Sequence, residues 1–313
     1  MLEPSADEIR DWGNSVTQFM IDYLGDLRDR PAYRQTSSRE IRSGLDSKLP
    51  IKGIDFDSLL KIFRDTIVPF SRQNAHPRMF GYVQSPGTPI AAFADLLAST
   101  LNANLTIWRS APAPVELERL TIDWIRQILG FNSEAGGLFV SGGSMANLTA
   151  LGAARQTRDH SLGRLRMYAS SATHFSITKA VALLGIGREN VQNVAVDEHF
   201  KMRMDDLVAK ISADMEAGYV PFCVVGNAGT VDTGAVDPLR EIREVANRFE
   251  LWMHVDGSYG AFAVLAESAR KLFAGMGAGR FDRAGSSQMA LSPGGCWLRN
   301  LPRPRDCAGD FRS

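Results

Sequence analysis

From about Gly137 onward, short apolar runs alternate with longer segments whose apolar residues recur at helical spacing. GLFVS, Arg166-Met167-Tyr168-Ala169, NVQNVAV, PFCVVG and LWMHV read as strands, and Ser144 to Gln156, Ile177 to Leu184, Met204 to Glu216 and Pro238 to Phe249 read as helices. This alternation implies right-handed crossovers and a mostly parallel sheet covered by helices on both faces, an α/β fold. Ligands of such sheets collect at the carboxyl ends of the strands. Nearer the N-terminus, Ile9, Trp12, Val16, Phe19, Met20, Tyr23, Leu24 and Leu27 keep a helical period behind a Ser5/Glu8 capping box. An amphipathic helix is expected there, ended by Pro31, followed by a polar connector to about Gly53. Its apolar face packs either on its own domain or on a partner subunit.

Composition removes several classes of function. The 313 residues are 44% hydrophobic and 22% charged, with Lys+Arg and Asp+Glu balanced at 35 each, so no net field recruits nucleic acid or an anionic membrane. No apolar run of about 18 residues is present, and MLEPSADEIR lacks the basic and apolar regions of a signal peptide, so a cytoplasmic protein is expected. Cys223, Cys296 and Cys307 have no metal-ligand spacing, and no metal site is expected. A small-molecule enzyme fits this balance.

The chemistry lies at the predicted strand ends. His254-Val255-Asp256-Gly257-Ser258-Tyr259-Gly260 carries an acid from a strand into a turn, where a carboxylate can hold a pyridinium nitrogen protonated. Taken alone, it is an Asp opening an ordinary turn. Ser141-Gly142-Gly143-Ser144 stands between a strand and a helix, where backbone N–H groups can close around an anion such as a phosphate. Taken alone, it is a glycine turn placed for steric reasons.

Together with Thr173-His174-Phe175-Ser176 and Asn227-Ala228-Gly229-Thr230, and in this order and spacing, these motifs resemble the group II pyridoxal phosphate (PLP)-dependent amino acid decarboxylases, the family of aromatic amino acid and glutamate decarboxylases. The resemblance runs from about Ile9 to about Met276. It implies a fold-type I PLP-dependent transferase-like fold in three parts: an N-terminal helical dimerisation segment over 1–75, a PLP-binding large domain over 76–276, and a tail over 277–313, with the C-terminal small domain missing. Gly142, Gly143 and Ser144 would then hold the phosphate, His174 would stack on the pyridine ring, and Asp256 would pair with the ring nitrogen. Ser258 would lie beneath the ring, and Thr230 with its neighbours would support Asp256 or the ring hydroxyl. His76, Tyr82 and Trp108 match substrate-side segments, the last facing a neighbouring subunit. Lys179, on the helix after His174, is a surface or phosphate-proximal residue and not the cofactor's anchor. The implied activity is decarboxylation of an L-amino acid, an aromatic one first, by a homodimer. The competing readings are a non-catalytic fragment that binds PLP weakly or joins its homologues, and another fold-type I activity such as an aminotransferase or lyase.

One element of this chemistry is lacking. No lysine follows Lys271, although the anchoring lysine of this class stands a short stretch after the ring-nitrogen Asp. Residues 277–313 are rich in Gly, Arg and Pro and show no strand or helix period, so a disordered tail is expected. Synonymous codons for Gly277 to Leu291, read one nucleotide later, give ERADSIALDPHKWLY, which resembles the family's lysine segment. A single-nucleotide frame break near Gly277, which removes the lysine and impairs activity, is therefore expected.

Overall fold

A computed structural model describes residues 3–45, 49, 51–82, 85–157, 164–277, 287–291 and 296–299. The chain divides into two compact units, Met1–Ala103 and Asn104–Ser313, so residues 76–103 go with the first unit and the division falls later than the expected boundary at residue 75.

In the first unit, helix α1 spans Ala6–Gly25 and begins with the expected capping box: the Ser5 hydroxyl accepts the Glu8 N–H, and the Glu8 carboxylate accepts the Ser5 N–H. It stops at Gly25, ahead of Pro31, because a glycine followed by Asp26 gives the helix little reason to continue. Helices α2 (Ser38–Ser43) and α3 (Phe56–Ile62) follow, the latter running into a π-helical turn at Phe63–Ile67. Trp12 stacks on Phe56 at 5.2 Å between ring centroids, and Phe19 meets Phe63 edge-on at 5.5 Å. One part of the α1 stripe thus packs within its own unit, while Ile9, Val16 and Ile21 stay exposed. Helix α4 (Pro89–Leu101) starts on Thr88 and ends at Asn102 in the left-handed region.

In the second unit, α5 (Pro112–Ile128) leads to β1 (Gly136–Phe139), α6 (Gly143–Gln156), β2 (Leu165–Ser170), α7 (Ser176–Leu183), β3 (Val191–Val194) and α8 (Met204–Glu216). Then come β4 (Val220–Asn227), α9 (Leu239–Arg248), β5 (Trp252–Asp256), β6 (Ser287–Leu291) and β7 (Cys296–Arg299). The sheet order is β1-β7-β6-β5-β4-β2-β3. Strands β3, β2, β4, β5 and β6 are parallel, whereas β7 runs antiparallel to both β6 and β1. The α/β class and the helix-covered parallel sheet are therefore as expected from the alternation.

The side-chain period of two puts one hydrophobic core on each face. Trp252 of β5 packs with Leu165, Met167, Cys223 and Val225 under α6 and α7. Met253 and Val255 point the other way, into a core with Leu207, Ile211, Leu239 and Ile242 of α8 and α9. Strand positions 254 and 256 therefore belong to the α6/α7 face.

The expected absence of regular structure in 277–313 is corrected at two places, Ser287–Leu291 and Cys296–Arg299. Ser287–Leu291 pairs with the edge of β5, and Cys296–Arg299 pairs with β1. A strand edge offers a row of unpaired N–H and C=O groups, and this pull on the backbone leaves no side-chain period for a sequence to display. The other residues of the tail lie outside the described residues.

Candidate functional site

The carboxyl end of β5, the N-terminal turns of α6 and the start of α7 bring Asp256 and His174 into one hydrogen-bonded group. Asp256 ends β5, only 7% exposed. Its Oδ1 accepts the Ser258 N–H at 3.1 Å and its Oδ2 accepts the Asn147 Nδ2–H at 3.0 Å. No lysine or arginine pairs with it among the described residues. A buried carboxylate held by two neutral donors still has lone pairs for a cation.

His174 precedes α7. Its Nδ1 accepts the Ser176 N–H at 3.3 Å and lies 2.8 Å from the Ser176 hydroxyl. Ser176 Oγ in turn accepts from Asn147 Nδ2 at 3.0 Å, so Asn147 links His174 and Asp256 on one face of the sheet. The carbonyl oxygen of the same amide lies 2.8 Å from His254 Nε2. The sequence by itself assigns Asn147, His254 and Ser176 no role. The signal for His254 was available, because a residue two before Asp256 on a strand shares its face.

Gly142, the N-cap before α6, has φ +128°, a conformation that glycine tolerates, and no side chain of the described residues caps the helix. A Cβ built on Gly142 would meet nothing within 4 Å among the described residues. The Gly142–Ser144 turn is thus an open cradle at a helix N-terminus, one helical turn before Asn147. Such a terminus with free N–H groups favours an anion.

Two loops form the floor. Gly229 (φ +96°) and Gly260 touch: a Cβ on Gly260 would lie 2.5 Å from the Ala228 carbonyl oxygen and 2.9 Å from Gly229 Cα. The Ala228 N–H also donates to the Asp256 carbonyl at 2.8 Å. Support for Asp256 from this loop therefore comes through the backbone of Ala228, while the hydroxyl of buried Thr230 bonds to Thr233 at 2.7 Å. Asn227 Nδ2 reaches Ser170, Thr173 and Asp237 at 3.1, 3.0 and 2.8 Å, which ties the ends of β2 and β4 together. Burial raises the Asp237 carboxyl above its ordinary value, against the pull of N–H bonds from Asn227 and Met202. Ser258 Oγ is buried and has no hydrogen-bond partner among the described residues. Lys179 is exposed, its ammonium 4.4 Å from the Phe175 ring centroid, in accord with a surface residue.

Of the substrate-side residues, Trp108 belongs to this unit, 51% exposed, with its indole N–H on Glu116 at 2.9 Å. His76 and Tyr82 belong to the first unit. His76 is buried and its Nδ1 accepts the Arg78 N–H at 3.0 Å, while Nε2 has no partner among the described residues. Tyr82, with φ 67°, is 76% exposed under the Arg72 guanidinium. Among the described residues, no group of three or more His, Cys, Asp or Glu could hold a metal, and no helix is long and apolar enough to cross a membrane. Burial pushes the Cys223 thiol up, which leaves it no character as a nucleophile.

A helix N-terminus, an imidazole and a buried acid without a cation among the described residues, at the ends of a parallel sheet, have the chemistry that the phosphate, ring and ring nitrogen of PLP require, on a sheet of the fold-type I class. The family profile described as "Pyridoxal-dependent decarboxylase conserved domain" matches residues 38–289, and the chain belongs to that family. The match runs beyond Met276, the end of the resemblance legible in the motifs. An aromatic-L-amino-acid decarboxylase of Bacillus atrophaeus is 36% identical over 88% of the chain and 58% of its own length. A 4-hydroxyphenylacetaldehyde synthase of Rhodiola rosea is 32% identical over 80% of the chain and 54% of its own. The crystal structure of Oryza sativa TDC with PLP and tryptamine superposes with a TM-score of 0.87 at 27% identity, covering 96% of this chain and 65% of that one. The chain thus spans little more than half the length of the curated relatives it matches. The family's cofactor is pyridoxal 5'-phosphate.

Proposed function

We propose that the chain carries the cofactor-binding part of an L-amino acid decarboxylase, with an aromatic amino acid as the favoured substrate. The observation that carries this reading is the Asp256–Asn147–Ser176–His174 connection on the face of the sheet where α6 opens its N-terminal cradle. Gly142, Gly143 and Ser144 would hold the phosphate, His174 the ring face, Asp256 the ring nitrogen and Ser258 the side beneath it. Bound there, PLP supplies an electron sink for the pair released when the α-carboxylate leaves as carbon dioxide. The chain's part is to keep the ring nitrogen protonated through Asp256 and the ring oriented through His174. His76, Tyr82 and Trp108 are proposed as substrate-side residues, and relatives named for tyrosine and tryptophan decarboxylation support the aromatic preference.

Activity of the 313-residue chain is proposed to be lost or strongly impaired, since no lysine follows Lys271 to anchor the cofactor. A frame break near Gly277 remains the proposed origin, and the nucleotide sequence across codons 270–300 tests it directly: absence of DPHKW in the shifted frame refutes it. We also propose that the chain associates with a second copy. Exposed Ile90, Leu96, Leu97 and Leu101 on α4, and Leu117, Leu120 and Trp124 on α5, are apolar faces of the kind that subunits cover. The functional test is PLP titration of the purified chain, followed by carbon dioxide release from L-tryptophan, L-tyrosine and L-glutamate. Reversible PLP binding with negligible turnover is expected. No PLP binding, or turnover at an enzyme-like rate, overturns the respective part.

A further inference from the structure

We infer that Asn147 is a positioning residue that locks Asp256, His174 and His254 into one directed hydrogen-bond network, and so couples the phosphate cradle of α6 to the acid beneath the ring nitrogen. The inference rests on the PLP reading for its consequence, but its geometry stands independently. Asn147 is 1% exposed, so each of its polar atoms must find a partner in the protein. An amide has two N–H donors and one carbonyl acceptor. Its Nδ2 faces the Asp256 carboxylate at 3.0 Å and Ser176 Oγ at 3.0 Å, and its Oδ1 faces His254 Nε2 at 2.8 Å. Turning the amide over would set its oxygen against a carboxylate oxygen, lone pair to lone pair. The orientation is therefore determined.

Every other proton in the network then has a direction. With both amide hydrogens committed, the Asn147 oxygen must accept, so His254 carries its proton on Nε2. Ser176 Oγ accepts from Asn147 and donates its own hydrogen to His174 Nδ1, which also accepts the Ser176 N–H. In neutral His174 the ring proton therefore lies on Nε2. Because Asn147 lies one turn into the helix that opens with Gly142 and Gly143, a shift of α6 that follows an anion at its N-terminus also shifts the donor on Asp256.

The test separates the network from the cofactor. In the ligand-free chain, ring nitrogen chemical shifts of His254 should report the Nε2–H tautomer, and Asn147→Leu should abolish that preference. Asn147→Asp keeps the shape and the acceptor for His254 but loses both donors, and sets a second carboxyl beside Asp256. It should retain the His254 tautomer yet weaken PLP, titrated by absorbance, by about tenfold or more. This variant also answers the question should Asn147→Leu fail to fold. Leu151→Ala, in the core beneath the same helix, lowers stability without touching the network and should leave both readouts unchanged. An unchanged His254 tautomer in Asn147→Leu, a lost tautomer in Asn147→Asp, or full PLP affinity in Asn147→Asp overturns the inference. Failure of the unsubstituted chain to bind PLP overturns the proposed function instead, and the tautomer measurement then decides the network alone.

Discussion

Asp256→Asn changes one oxygen to an amide nitrogen and nothing in shape, which makes its cost readable from the geometry. Oδ1 and Oδ2 each accept an N–H, from Ser258 at 3.1 Å and from Asn147 at 3.0 Å. Whichever way the new amide turns, one of those donors meets another donor, and a hydrogen bond to a charged group worth about 1.5–3 kcal/mol is lost. Removal of a buried charge returns part of its desolvation cost, so the net destabilisation should be about 1–2 kcal/mol. For a unit of this size that lowers Tm by about 2–8 °C. The larger effect falls on the cofactor. A protonated ring nitrogen would lose a charge-assisted hydrogen bond of the same about 1.5–3 kcal/mol, which is about a tenfold to a hundredfold weaker Kd for PLP. The assay is an absorbance titration of the purified chain with PLP at neutral pH, with a thermal melt of the same samples. A Kd within about twofold of the parent, alongside a lowered Tm, would show that the carboxylate is structural and that the ring nitrogen lies elsewhere. An unchanged Tm would refute the hydrogen-bond geometry itself.

Gly260→Ala places a Cβ against the Ala228 carbonyl and Gly229 Cα, backbone atoms that cannot swing aside, and should cost about 1–3 kcal/mol in denaturant unfolding; a neutral effect would mean that the two loops are not in contact. Tyr168→Phe removes the 2.8 Å bond from a buried phenol to Asp214 and should destabilise by about 1–2 kcal/mol, read from the same midpoint shift, with PLP affinity unchanged. Asp237 holds its proton more tightly folded than unfolded, because burial raises its carboxyl above the ordinary 3.8. Its stabilising contribution is therefore fully present below the unfolded pKa and falls as pH rises through the folded value. Relative to Asp237→Asn, the parent should lose unfolding free energy as the buffer moves upward from about pH 3, and a difference of opposite slope would contradict the buried-acid assignment.

The strands and helices between residues 136 and 256 were legible because each apolar run is bounded by a polar turn and carries one clear period. Asp256 and the Gly142–Ser144 turn were legible for a related reason: their positions follow from the ends of those elements. Asn147 was not. Its partners Asp256 and His254 lie more than a hundred residues away in the chain, and nothing local distinguishes a buried bridging amide from a polar residue on a helix. The end of α1 at Gly25 is less legible than Pro31, because a proline excludes a helix outright whereas a glycine followed by an aspartate only disfavours it. The pairing of Ser287–Leu291 with β5 was illegible for a different reason, since backbone edge bonding asks little of side-chain order.

The position of β1 in the sheet bears on how the molecule is made. Among the described strands β1 is joined to the others only through β7, with Gly136 opposite Arg299 and Phe139 opposite Cys296. During synthesis, the strand that precedes α6 therefore waits for the last-made of the described strands before it can be stitched into the sheet. Closing so long a stretch of chain costs entropy before any contact repays it, which slows folding. The parallel strands β2 to β5, with α6 packed on them and Asn147 bonded to Ser176 and Asp256, can assemble while the ribosome is still extending the chain, whereas β1 finds its strand partner only later. Any nascent chain arrested before residue 296 should present β1 loosely held to chaperones and proteases, with cleavage concentrated on the residue 136–142 side of α6.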